Sequence, residues 1–117
     1  MNPEKNPETK ASISPARPYD LADLVAYADG GIVSRTLADN PAGSLALFSF
    51  DAGQGLSEHS APYDAFVYVL QGQAELTIGG KTVSADSGQM VIMPANIPHS
   101  LRATGRFKML LTMLRTG

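Results

Sequence analysis

From Ala74 onward, hydrophobic and polar residues alternate along the chain. Ala74, Leu76 and Ile78 share one side of a two-residue period and Glu75 and Thr77 the other, the pattern of a strand with one face in a core. Gly79-Gly80 is a two-residue hairpin signal, and Lys81 to Ser84 is the return strand. Asp86-Ser87-Gly88 turns again, Met90 to Pro94 is the next strand, and His99 to Ala103 follows Pro98. After Thr104-Gly105, the run from Phe107 to Arg115 places Phe107, Met109, Leu111 and Met113 on one face and Lys108 and Thr112 on the other. Upstream, Ser44 to Phe50 is apolar or small on both faces, which predicts a strand covered on both sides. Asn40-Pro41-Ala42-Gly43 turns between it and a strand over Ile32 to Leu37. Only Leu21, Leu24 and Val25 follow a helical spacing; they predict a short helix opened by Asp20 and ended by Gly30-Gly31. Many short strands with Gly and Pro turns predict an all-β sandwich or barrel.

Residues Met1 to Pro18 are polar and carry four prolines, so they predict a flexible N-terminal arm ahead of a domain over residues 19–117. Composition narrows the function classes. Of 117 residues, 44% are hydrophobic, enough for one core, and the formal net charge is −2. Lys and Arg are scattered, which speaks against nucleic acid as a partner; Arg102, Arg106 and Lys108 read as the solvated face of a late hairpin. There is no cysteine, which excludes disulfides, thiolate metal sites and a cysteine nucleophile. The N-terminus has no apolar signal-peptide core, and no run is long enough for a membrane span, so a cytoplasmic protein with no membrane partner is expected.

The chain has two histidines. His59 lies in GQGLSEHSAPYDAFVYVLQG, and His99 closes GQMVIMPANIPHSL. Strand register predicts that these stretches lie on facing walls of one barrel with both imidazoles in its cavity. In the strand after His59, Ala65, Val67 and Val69 should look inward; Phe66, Tyr68 and Leu70 form an outer face too apolar to leave wet, to be covered by the N-terminal strands or a second subunit. Met93, Met109 and Met113 either fill core gaps or line a soft apolar pocket. Tyr63 stands beyond His59 and Pro62, at a cavity mouth or packed on the barrel rim.

These stretches resemble the two motifs of the cupins, a family of jelly-roll β-barrels. The first motif runs Gly, five residues, His, one residue, His, three or four residues, Glu, six residues, Gly. Gly53, His59 and Gly72 fall on it, with Ala61 at the second His position and Ala65 at the Glu position. The second motif is matched by Gly88, Pro94 and His99, with Asn96 where Gly is usual and Ala103 where Asn is usual. The resemblance covers about Ser44 to Arg115. It implies a single cupin β-barrel, with a metal centre normally built from three His and one Glu. Here it implies a two-His site, His59 and His99, holding one divalent ion (Zn, Fe, Mn or Ni) weakly if at all. A third ligand would have to come from Asp64 or Gln54. Alternation turns Glu58 away from the face of His59, and Asp64 needs a bulge near Pro62 to turn inward.

The expected ligand pocket combines Ala61, Ala65, Val67 and Leu101 with the three methionines and Tyr63. Two readings follow: a module binding a small molecule in the barrel, or a metal-dependent enzyme of dioxygenase or isomerase type acting on a small organic substrate. Without a metal, the two imidazoles could act as acid and base near neutral pH. The resemblance also implies a homodimer.

Overall fold

The computed structural model describes residues 13–115. The expected arm therefore lies outside the described residues up to residue 12. Asn40 accepts the Ala42 N–H at 2.8 Å, which closes the hairpin between β1 (Ile32–Asn40) and β2 (Gly43–Phe50). β1 thus runs past the expected Leu37. The chain then forms β3 (Gly55–His59), β4 (Asp64–Gln71), β5 (Gln73–Ile78), β6 (Lys81–Asp86), β7 (Met90–Met93), β8 (His99–Arg102) and β9 (Phe107–Leu114). These strands make two antiparallel sheets, one in the order β1-β2-β9-β4-β7 and one in the order β3-β8-β5-β6.

The two sheets face each other as a jelly roll, and the alternation read along each strand decides what lies between them. Val67, Val69, Phe107 and Met109 come from the larger sheet, and Ala74, Leu76, Ala85 and Leu101 from the smaller. Phe50 and Phe107 are cross-strand partners and stack with ring centroids 4.6 Å apart. Each large side chain buried this way contributes about 1.5–3 kcal/mol. The Gly79-Gly80 hairpin forms as predicted, with Ile78 paired to Lys81 and both glycines at positive φ. Gly72 joins β4 to β5 at φ 81°, and a Cβ there would fall on the Arg106 carbonyl oxygen and against Phe107.

The expected helix is a single four-residue 3-10 turn, Leu21–Leu24, and the Asp20 side chain does not cap it. Val25 is already extended. The reason is tertiary. The segment lies over the outer face of the larger sheet, whose side chains take its carbonyls two residues apart: Lys108 Nζ donates to Ala22 O at 2.6 Å, Arg35 Nη1 to Leu24 O at 3.0 Å, and Ser49 Oγ to Ala26 O at 2.7 Å. Val25 buries fully against that face, as does Leu47 beneath it. Lys108 and Arg106 also lie over the Tyr27 ring, and the Tyr27 hydroxyl donates to Gln71. At the end of this strap, Asp51 accepts the Gly30 N–H at 2.6 Å and Arg106 Nε at 2.8 Å, while Arg106 also pairs with Asp29. The bond from Arg106, with those from the Gly30 and Ala52 amides, holds the Asp51 carboxyl down to about 2.

Arg106 and Lys108 are therefore not a merely solvated face, as their positions in the sequence suggested. They tie the N-terminal strap to the barrel, and Lys108 is only 9% exposed. The strap covers one part of the outer face. Tyr68, Met90, Ile92 and Leu114 remain exposed on the rest of it.

Candidate functional site

A one-residue irregularity in β3 aims His59. Leu56 pairs with Leu101 and, three residues on, His59 pairs with His99, only two residues back along β8. The extra residue in Ser57-Glu58 is a β-bulge, and it reverses the facing of everything after it. Without it, strict alternation from Leu56 would turn Glu58 inward and His59 out. The bulge that matters is therefore here and not near Pro62.

The two histidines are consequently cross-strand neighbours on one wall of the barrel, not residues of facing walls as the register argument predicted. Their Nε2 atoms lie 3.2 Å apart and the rings meet edge to face, with centroids 4.4 Å apart. Each ring is oriented by the same local device. His59 Nδ1 contacts the Ser57 carbonyl at 2.9 Å and His99 Nδ1 the Ile97 carbonyl at 3.2 Å, in each case two residues upstream. A carbonyl only accepts, so both Nδ1 atoms carry the proton. When both rings are neutral, the two Nε2 atoms then face each other as acceptors. His99 is only 4% exposed and His59 lies at the exposed rim. Burial, and then the nearby charge of His59, push the His99 pKa down against the opposing bond to Ile97, which favours the neutral ring.

The pair borders a half-enclosed cavity of about 60 Å³. Of the residues expected there, Ala61, Ala65, Leu101, Met93, Met109 and Met113 all line it. Val67 does not; it is fully buried in the core below. Nor does Tyr63, which is half-buried beside the Arg115 guanidinium. Leu56, Ser100 and Leu111 also line the cavity and were not singled out in the sequence. Leu111 was legible, since it shares the inward face of Met109 and Met113. Leu56 was hidden by the bulge, because alternation back from His59 places it on the opposite face. Apart from the two imidazoles, the lining carries no titratable side chain among the described residues.

Neither expected third ligand lines this cavity. Asp64 is exposed, and its Oδ1 accepts the Ala95 N–H at 2.9 Å, holding the turn after β7. Gln54 lies in the loop before β3, where its backbone carbonyl accepts the Ala103 N–H. Asn96, at the position where Gly is usual, adopts φ 64°, a conformation that Asn tolerates better than most side chains. Among the described residues, no group of three or more His, Cys, Asp or Glu is placed to hold a metal ion. The two Nε2 atoms themselves suit one ion: bonds of about 2.0–2.1 Å from a shared metal can reach nitrogens up to about 4 Å apart. They amount to half of a usual donor set.

Two antiparallel sheets closed over a histidine-edged apolar cavity define a small jelly-roll barrel protein. The chain belongs to the cupin family: the Cupin_2 family model, described as a cupin domain, matches residues 46–114. A conserved protein of unknown function from Streptococcus pyogenes, SPY1581, is similar in crystal structure, with a TM-score of 0.86 and 39% identity over 91% of this chain and 93% of that one. A cupin superfamily protein from Desulfitobacterium hafniense is similar at a TM-score of 0.84 and 30% identity, covering 90% of this chain and 96% of that one. Polyketide synthase CurC of Streptomyces cyaneus is 33% identical over 64 residues, 54% of this chain and 42% of that protein. The chain spans about half the length of the curated relatives it matches.

Proposed function

We propose that the barrel cavity binds a small organic molecule with an apolar body, whose polar end reaches the paired Nε2 atoms of His59 and His99. The observation that carries this reading is the approach of two imidazole Nε2 atoms to 3.2 Å at the edge of a cavity whose other described lining residues are alanine, leucine and methionine plus one serine. Imidazole nitrogens held at a fixed spacing select a polar partner, and the methionines supply a soft, adaptable apolar wall. A cavity of about 60 Å³ favours a small ligand.

The reading is tested by thermal shift with a panel of small aromatic and branched aliphatic compounds, on wild type and on Ala65→Leu. Ala65 is buried and lines the cavity, so leucine there fills the space. Binders should raise Tm in wild type and lose that effect in the filled variant. A panel in which nothing binds, or in which Ala65→Leu responds like wild type, overturns it. The relative named polyketide synthase CurC makes polyketide fragments a reasonable first set of compounds.

The convergence of the two Nε2 atoms also supports a second reading, a metal-dependent enzyme. His59 and His99 would hold a divalent ion, which when bound supplies Lewis acidity toward a substrate oxygen. The Ser57 and Ile97 carbonyls would fix both rings for that purpose, as carbonyl partners do for ligating histidines. Near one metal per chain, lost in His59→Ala, supports this reading; metal-independent turnover overturns it.

We also propose that the chain works as a homodimer. Support comes from the exposed apolar face formed by Tyr68, Met90, Ile92 and Leu114, which the strap leaves uncovered.

A further inference from the structure

We infer that the N-terminal strap, residues 20–30, is a cover that opens as one unit on a hinge at Gly30 while the barrel beneath it stays closed. Opening bares the Lys108 amine, the Ser49 hydroxyl and Leu47, all of which the closed strap hides. The motion is independent of what the cavity binds.

The strap is attached differently from every strand. Among the described residues, no backbone bond joins residues 20–30 to either sheet. Side chains take its carbonyls instead: Lys108 Nζ, Arg35 Nη1 and Ser49 Oγ hold those of Ala22, Leu24 and Ala26. Val25 is the one strap residue that is buried. It and Leu47 stand outside the hydrophobic cluster between the two sheets, so the barrel core is complete without the strap. A segment with one buried apolar anchor and little backbone bonding opens locally at a free energy well below that of the whole domain.

Both ends of the strap permit the movement. The Gly31 carbonyl accepts the Asp51 N–H and Ile32 pairs with Phe50, so the chain is fixed to the sheet from Gly31 onward. Gly30, just before, adopts φ 67° with nothing within 4 Å of the position a Cβ would take. A change of backbone angle there moves the strap and leaves the sheet in place. At the other end, the Ser14 N–H donates to the Tyr19 hydroxyl and the Arg17 guanidinium lies over the Tyr19 ring, both contacts within the segment itself. The latch between strap and barrel is polar. The Gly30 N–H donates to Asp51, the Tyr27 hydroxyl donates to Gln71, and Arg106 pairs with Asp29, whose side chain is 98% exposed. An ion pair so open to water holds weakly.

Lys108 reports the movement. The closed strap leaves it 9% exposed, with Nζ on the Ala22 carbonyl and over the Tyr27 ring. Lys81, exposed at the start of β6, is the internal standard. The test is acetylation of the full chain by N-hydroxysuccinimidyl acetate at one fixed pH, followed at each lysine by peptide mass spectrometry, over urea concentrations below the unfolding transition. In wild type, Lys108 should react at least about tenfold more slowly than Lys81, and its rate should rise with urea far less steeply than global unfolding does, because a local opening exposes little surface. Val25→Ser, which removes the anchor without touching the barrel core, should speed Lys108 about fivefold or more and leave Lys81 unchanged.

Lys108 reacting as fast as Lys81 in wild type would overturn the inference, because the strap would then cover nothing. A urea dependence as steep as that of global unfolding would overturn it by making strap and barrel one cooperative unit. So would a Val25→Ser protein that labels like wild type, or one that loses its far-UV circular dichroism.

Discussion

Gly72 shows how much one residue can settle. Its φ of 81° suits glycine, and a side chain there has nowhere to go, because the Arg106 carbonyl and Phe107 occupy the space. Gly72→Ala should therefore cost about 1–3 kcal/mol or more, read as a lowered urea midpoint with an unchanged slope. The glycine itself was visible in the sequence as a turn residue; the clash was not, since it comes from a loop more than thirty residues away. The histidines repeat this lesson. Their number and their place on the cupin motifs could be read directly, whereas the Nδ1 bonds that orient them depend on how the backbone bends at Ser57 and Ile97. Asp64, the carboxylate beside the Glu position of the motif, spends its oxygen on the Ala95 amide.

Among the elements, β3 and the N-terminal strap carry the consequences. The extra residue in β3 decides which side chain enters the cavity. Deleting Glu58 should remove the bulge yet keep His59 inward, because His59 would then stand two residues after Leu56 and directly in register with His99. The expected outcome is a barrel with native-like far-UV circular dichroism that still gains thermal stability from compounds the wild type binds. The strap is sensitive to acid. Asp51 has its pKa depressed from 3.8 to about 2 by Arg106 and two backbone amides, so the folded state binds its proton less readily than the unfolded chain. Its contribution is present above pH 3.8 and is lost as pH falls through the folded value near 2. Wild type should show that loss over this window in chemical denaturation, and Asp51→Asn should be less stable at neutral pH with a flatter acid limb. Sequence patterning found a helical spacing at Leu21, Leu24 and Val25 but had no way to include the sheet donors that pull the segment straight.

The whole molecule presents one partly covered face. Leu47 and Ser49 lie sealed beneath the strap, while Tyr68, Met90, Ile92 and Leu114 stay open beside it. Light scattering at micromolar concentration should therefore give twice the chain mass, and Ile92→Asp should shift the protein to a monomer that keeps its fold. A wild type that is monomeric throughout would count against the homodimer. The mixed face also explains why both faces of the Ser44-to-Phe50 strand read as apolar: Phe50 points into the barrel and Leu47 into the strap contact.

Local patterning by itself determined the strands, most of the turns, the inward row of Met109, Leu111 and Met113, and the presence of two imidazoles at motif positions. These follow from the two-residue period and from turn chemistry, both of which act over a few residues. Tertiary structure decided which wall holds the histidines, which carboxylates are free, and what covers the outer sheet. Those outcomes depend on the register between strands far apart in the chain, and a single inserted residue in β3 was enough to reset it.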